Sequence, residues 1–185
     1  MASILDPLVD KQGGIRKSAS WYRSNVASLA DTITARKLMN QGKLINRPSA
    51  GRLNMFFYDP KTKKKLPYYD TFPLVLPLET IKGGFLGMNF HYLPPILRFR
   101  LLESVHSKFA TRVELNKNNK FDVSYNRIKN VPFVKPTIKK YLYGYVRSNF
   151  LRIDVDEAAL AVYLPVQQFK KRSDSYVWGQ SRGMI

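Results

Sequence analysis

Between residues 53 and 93 the chain is cut into three short apolar runs by turn-forming residues, and this punctuation constrains the fold most. Runs at 53–58, 72–78 and 85–93 are separated by Asp59-Pro60 with a lysine-rich stretch, and by the turn at 80–84. Each run is too short for a typical globular helix and fits a strand. Three such strands joined by tight turns form a small antiparallel sheet, and a barrel of the SH3 kind is one way to close it. Pro73 and Pro77 each lack a ladder donor, so the second strand is expected to be short or at an edge.

Helical spacing surrounds this block. Over 18–41, Tyr22, Val26, Leu29 and Ile33 recur every three or four residues, with Ser18 or Ser20 as cap and Gly42 as stop. Arg23, Arg36 and Lys37 fall on the other side. Pro94-Pro95 opens a second helix to about residue 109, lined by Leu97, Leu101, Val105 and Phe109. Pro136 is read as opening a third, with Ile138, Tyr141, Leu142, Tyr145 and Val146 on one face and Lys139, Lys140, Tyr143 and Arg147 on the other. Residues 150–155 alternate like a strand, and 158–164 are expected to complete a hairpin with them. Residues 111–134 carry no clear period. The expected fold is α+β: a small antiparallel sheet with flanking helices and an N-terminal helical arm. Its expected divisions are a loosely attached arm and basic helix (1–52), one α+β domain (53–172) and a C-terminal tail (173–185).

Charge narrows the function. The 185 residues carry 31 Lys+Arg against 13 Asp+Glu, a formal net charge of +18. The excess is interleaved with Tyr, Phe and Leu, as on a folded basic surface, and the longest cationic run is Lys63-Lys64-Lys65. Such charge costs self-repulsion that a negative partner relieves. Cysteine is absent, which excludes disulfide scaffolds, thiol catalysis and cysteine-based zinc sites. No apolar run approaches the roughly 20 residues of a membrane span, and no secretory signal or cofactor motif is read.

Catalytic constellations are sparse. His91 lies in an aromatic run and reads as a packed or hydrogen-bonded structural residue; His106, beside Val105, reads as half exposed. Gly83-Gly84-Phe85-Leu86-Gly87 is not followed by Gly-Lys-Ser/Thr, so it reads as a hairpin turn and not a phosphate cradle. Asp154, Asp156 and Glu157 form the one tight acidic cluster. On a strand, Asp154 and Asp156 would share a face that can hold a hard cation, but a soluble turn is the plainer reading.

Phosphate binding is the stronger signal. Four basic clusters can supply it: Arg16 and Lys17; Lys61, Lys63, Lys64 and Lys65; Lys139, Lys140 and Arg147; and Lys170, Lys171 and Arg172. Tyr68, Tyr69, Tyr143 and Trp178 lie near cations and can stack on unpaired bases at a strand end, although core packing accounts for any one of them alone.

Four stretches then carry a resemblance. They are Met55-Phe56-Phe57-Tyr58-Asp59-Pro60-Lys61; the segment 66–79, which includes Tyr68-Tyr69-Asp70-Thr71-Phe72-Pro73; Gly84-Phe85-Leu86-Gly87-Met88-Asn89-Phe90-His91-Tyr92-Leu93-Pro94-Pro95; and Leu164-Pro165-Val166-Gln167-Gln168-Phe169. Together they resemble the DNA end protector (head-completion) family of T4-like tailed bacteriophages over about residues 53–172, leaving the first 50 residues outside. The resemblance implies a non-enzymatic virion protein bound to double-stranded DNA ends near phage head or neck proteins. It implies shielding of those ends from host exonuclease, in the virion and then in the host cytoplasm. Two other readings stay open: a head–neck or baseplate component meeting acidic virion proteins without DNA, and a metal-dependent nuclease using Asp154 and Asp156.

Overall fold

The computed structural model describes residues 3–48, 51–113, 128, 130 and 133–185. Six helices and eight strands are described. In chain order they are α1 (Asp6–Gln12), α2 (Ala19–Ala27), α3 (Ala35–Gln41), β1 (Lys43–Ile45), β2 (Asn54–Met55), β3 (Tyr69–Asp70), β4 (Leu74–Ile81), β5 (Gly84–Asn89), α4 (Pro95–Val113), β6 (Ile138–Leu142), β7 (Phe150–Arg152), α5 (Ala158–Ala161), β8 (Phe169–Lys170) and α6 (Asp174–Gly183). The α+β class holds. One antiparallel sheet has the order β1-β7-β2-β4-β5-β6, and β3 pairs with β8 in a second, two-stranded sheet. A barrel of the SH3 kind is not shown: among the described residues, the isolated bridge Tyr58–Val146 is what leads from beyond β6 back toward the β2 side.

Two cores sit against the large sheet. Leu74, Leu76 and Met88 join the helices in a broad cluster that includes Leu5, Tyr22, Leu38, Leu101 and Leu164. A smaller cluster holds Phe56, Tyr58, Val75, Phe85, Tyr141 and Phe150, with Phe85 stacked on Tyr141 at 5.4 Å. Alternate side chains of a strand point to opposite faces, so Leu74 and Val75 enter different cores.

Several elements differ from the sequence reading. Within the stretch expected to be a loose arm, Asp6–Gln12 is a helix ended by Gly13 at φ 66°, and Leu5 and Leu8 are buried. The helix expected over 18–41 is two. Ser28 and Thr32 turn their hydroxyls onto the carbonyls of Asn25 and Leu29, and Thr34 caps a fresh helix by accepting from the Lys37 amide. Hydroxyl side chains compete with helix propagation in this way and favour caps.

β4 is eight residues long and lies between β2 and β5, not at an edge. Its proline is tolerated because β2 reaches β4 at Leu74 and Val75, short of Pro77, and the β5 ladder shifts register between Pro77 and Glu79. The glycines at 83–84 do form a hairpin turn. Gly83 has φ 75°, and a Cβ on Gly84 would stand 1.9 Å from the Tyr141 carbonyl oxygen, so β6 packs where only glycine fits.

The helix expected over 136–148 is β6, flanked by short 3-10 turns at Lys135–Thr137 and Tyr143–Tyr145. The spacing of Ile138, Tyr141, Leu142 and Tyr145 imitates a helical stripe. However, β-branched and aromatic residues fit a pleated surface, and β5 supplies the ladder. The hairpin expected at 150–164 is also absent: β7 ends at Arg152, and alanine-rich residues 158–161 are helical. The C-terminal segment expected as a tail contains α6, capped by Ser173 and anchored by buried Val177 and Ser181.

Candidate nucleic-acid interface

The lysine-rich turn is held at its base by backbone bonds. Tyr58 N–H donates to Thr71 O and Asp59 N–H to Tyr145 O, each at 3.0 Å. Within it, Lys63 N–H reaches Pro60 O, and the amides of Lys65 and Leu66 reach Thr62 O. The carbonyls of Lys63, Lys64 and Leu66 instead receive the ammonium group of Lys171, at 2.7, 3.2 and 2.7 Å. Lys171 holds φ 72°, a left-handed conformation uncommon outside glycine, and its three charge-assisted bonds offset that strain.

This clamp joins two clusters more than 100 residues apart. The β3–β8 pairing sets Tyr69 opposite Lys170 and completes the junction. Arg147 approaches the same turn: its guanidinium is 3.8 Å from Asp59, and its backbone N–H donates to Phe57 O at 2.8 Å. Arg172 lies 4.8 Å over the Tyr176 ring, whose neighbour Tyr68 is 6.2 Å away. Around this junction Lys61, Lys64, Lys65, Lys170, Arg147 and Arg172 are exposed.

Not all predicted contacts are free cations. Lys63 pairs with Asp59 at 2.8 Å, and that hydrogen bond and charge raise its pKa. Lys171 spends its donors inside the turn. Lys139 and Lys140 are not on a helix face with Arg147; adjacent on β6, they point to opposite faces. Lys140 is exposed, whereas Lys139 is half-buried, 4.0 Å over the Tyr92 ring, with its pKa lowered by burial to about 8. Arg16 meets Glu103 at 3.2 Å and the ring of Phe99, while Lys17 is half-buried; neither touches the lysine turn.

Beneath the surface lies a polar network that pattern reading missed. Asp70 Oδ1 accepts the amides of Phe72 and Gln168, at 3.0 and 3.1 Å, and Oδ2 meets Asn89 Nδ2 and His91 Nδ1, at 3.3 and 2.8 Å. Arg98, fully buried, donates to the carbonyls of Leu93 and Val162 and to Gln167. Gln167 in turn donates to Asp174, and the Trp178 indole N–H to His91 O. Burial would raise the Asp70 pKa, but His91 and the two amide donors outweigh it and hold the carboxyl below its usual range. Burial drives the His91 pKa down, so the imidazole is neutral and its Nδ1–H donates to Asp70. Arg98 is lowered to about 9, again by burial.

The network therefore makes His91 a hydrogen-bonded structural residue and ties β3, β8, α4 and α6 together under the basic surface. One signal for it was legible: Arg98 falls on the apolar stripe with Leu101 and Val105. His106 lies outside the residues whose side chains are described.

The acidic cluster is an ion-pair hub. Asp154 meets Lys43, Arg52 at 3.6 Å and Arg152 at 3.1 Å, and Glu157 accepts the Asp154 amide. Among the described residues, no group of three His, Asp or Glu side chains could hold a metal ion. No described helix is long and apolar enough to cross a membrane.

The four stretches that carried the resemblance meet in space. Asp70, His91 and Gln168 each come from a different one and share one hydrogen-bonded cluster, and the stretch at 55–61 leads into the lysine turn above it. Among curated proteins and among solved structures, nothing matches. Residues 10–181 match the family described as Phage T4 terminal DNA protecting protein, a span that also takes in α2 and α3, and the chain belongs to that family.

Proposed function

We propose that this protein binds the ends of packaged double-stranded DNA and shields them from exonuclease without cutting them. In this reading it is a virion head-completion protein, close to head or neck proteins, and it stays on the DNA in the host cytoplasm. The observation that carries the reading is the joining of the 61–65 and 170–172 clusters through Lys171, with Arg147 alongside. A folded, clamped set of cations offers phosphates a fixed surface, and each neutralised phosphate releases counterions. Family membership supports DNA ends as the target. The pairing of Asp154 with three cations favours a structural role for that carboxylate over metal-dependent cleavage.

The test is retention of the purified protein on blunt linear duplex and on closed circles of the same sequence, across a salt series with magnesium. End protection predicts preference for linear DNA, a steep salt dependence and intact product. Equal retention on both forms would support a partner other than DNA ends. Shortened product lost in Asp154→Ala would make the protein a nuclease.

A further inference from the structure

We propose that Tyr176 reads the DNA end, its exposed ring serving as the platform on which the terminal base pair stacks while Arg172 meets the adjoining phosphate. This rests on the end-binding reading above and names the residue that makes it specific. Phosphodiesters repeat unchanged along the duplex, so cations that meet them do not tell an end from the interior. Besides its terminal 5′ and 3′ groups, an end presents the uncovered π-face of the last base pair, and aromatic side chains bind such faces whatever the sequence.

Among the described residues, the large aromatic side chains that stand exposed are Tyr143 and Tyr176, at 39% and 43%. Tyr143 lies after β6 beside the β4–β5 turn, where its amide donates to Gly83 O and its ring leans on Phe85. Tyr176 lies in the basic surface itself. Arg172 sits over its ring, and Tyr68, just past the lysine turn, meets it edge-on at 80°. Its backbone is anchored at the start of α6, and its ring meets Tyr68 and Arg172. Ser173 caps the start of α6 by accepting the Tyr176 amide at 3.3 Å; Val177 next to it is fully buried; and Tyr68 is backed by Tyr92 at 6.0 Å. A tyrosine side chain on an anchored backbone has few torsions left to order, so stacking costs it little freedom. Trp178 is not the platform, because it is half-buried and its indole N–H is bound to His91 O.

The experiment compares wild type, Tyr176→Ala and Tyr176→Phe on a blunt linear duplex and on a closed circle of the same sequence. The linear duplex carries 2-aminopurine at its last base pair in one sample and at a central pair in another. Stacking predicts that Tyr176→Ala loses about ten-fold in affinity for the linear form, keeps its affinity for circles and its salt slope, and no longer changes the terminal fluorescence. Tyr176→Phe, which keeps the ring, should restore both readouts, and the central probe should stay silent throughout. An alanine variant that retains the wild-type preference for linear DNA and the terminal fluorescence change overturns the platform while leaving end binding standing. A wild type that binds circles as well as linear duplex overturns both.

Discussion

At the scale of single residues, a charge count overstates the number of cations available to phosphate. Lys171 illustrates why. Its ammonium group satisfies three carbonyls of the lysine turn, so it acts as a positioning residue within the surface. Lys171→Met should loosen residues 63–66 by about 1–2 kcal/mol, since it removes charge-assisted bonds at an exposed site. Amide exchange there should quicken in the free protein, along with tryptic cleavage after Lys64 and Lys65; unchanged exchange would remove Lys171 from this role. Arg98 is the opposite case, a cation with no access to a ligand. Arg98→Leu leaves the carbonyls of Leu93 and Val162 without their donor and should destabilise the fold by about 3 kcal/mol. Denaturant melts can check that, and a loss under about 1 kcal/mol would mean that water replaces the guanidinium.

At the scale of elements, the short β3–β8 pair carries more than its length implies. Two residues from each strand cannot be stable alone, and Asp70 locks them by accepting the Gln168 amide and bonding to His91. That lock is pH-dependent. The His91 pKa lies below its unfolded value near 6.5, so the unfolded chain binds a proton first and stability falls as pH drops below about 6.5. Asp70, also depressed, adds a further loss at lower pH, as acid passes its unfolded value and then its folded one. The melting temperature should therefore decline between pH 6.5 and 5 in wild type, and decline less in His91→Gln, which has no imidazole to charge. Parallel curves for the two proteins would show that His91 does not govern this window.

At the scale of the whole molecule, +18 is not spread evenly in effect. Arg16 is paired with Glu103, and Asp154 gathers Lys43, Arg52 and Arg152, while the lysine turn and β8 leave several cations open to solvent. Replacing Lys64, Lys65 and Lys170 together by alanine should lower the salt slope of DNA binding by about 0.9 for each phosphate that is no longer neutralised, and weaken all sequences alike. The melting temperature should hardly move, because exposed lysines contribute little to stability. An unchanged slope would direct attention to a protein partner. A matching substitution of Arg16 and Lys17 should change the slope less, since neither meets the lysine turn.

The sequence by itself determined the strands around the two hairpin-like turns, the helix begun by Pro95, the absence of thiol chemistry and the abundance of cationic groups. These follow from local rules: turn residues, proline at a helix start and composition act over a few positions. It could not decide residues 138–142, where an apolar spacing of three and one suits a helix until β5 offers a ladder and Phe85 a ring to stack on. Nor could it show that Lys139 lies half-buried on an aromatic ring, or that Lys171 faces inward to carbonyls. Tertiary structure alone decided which cations share a surface. The contacts that gather them, from Lys171 to Lys63 and from Asp70 to Gln168, span about a hundred residues, and no local periodicity encodes pairing at that distance.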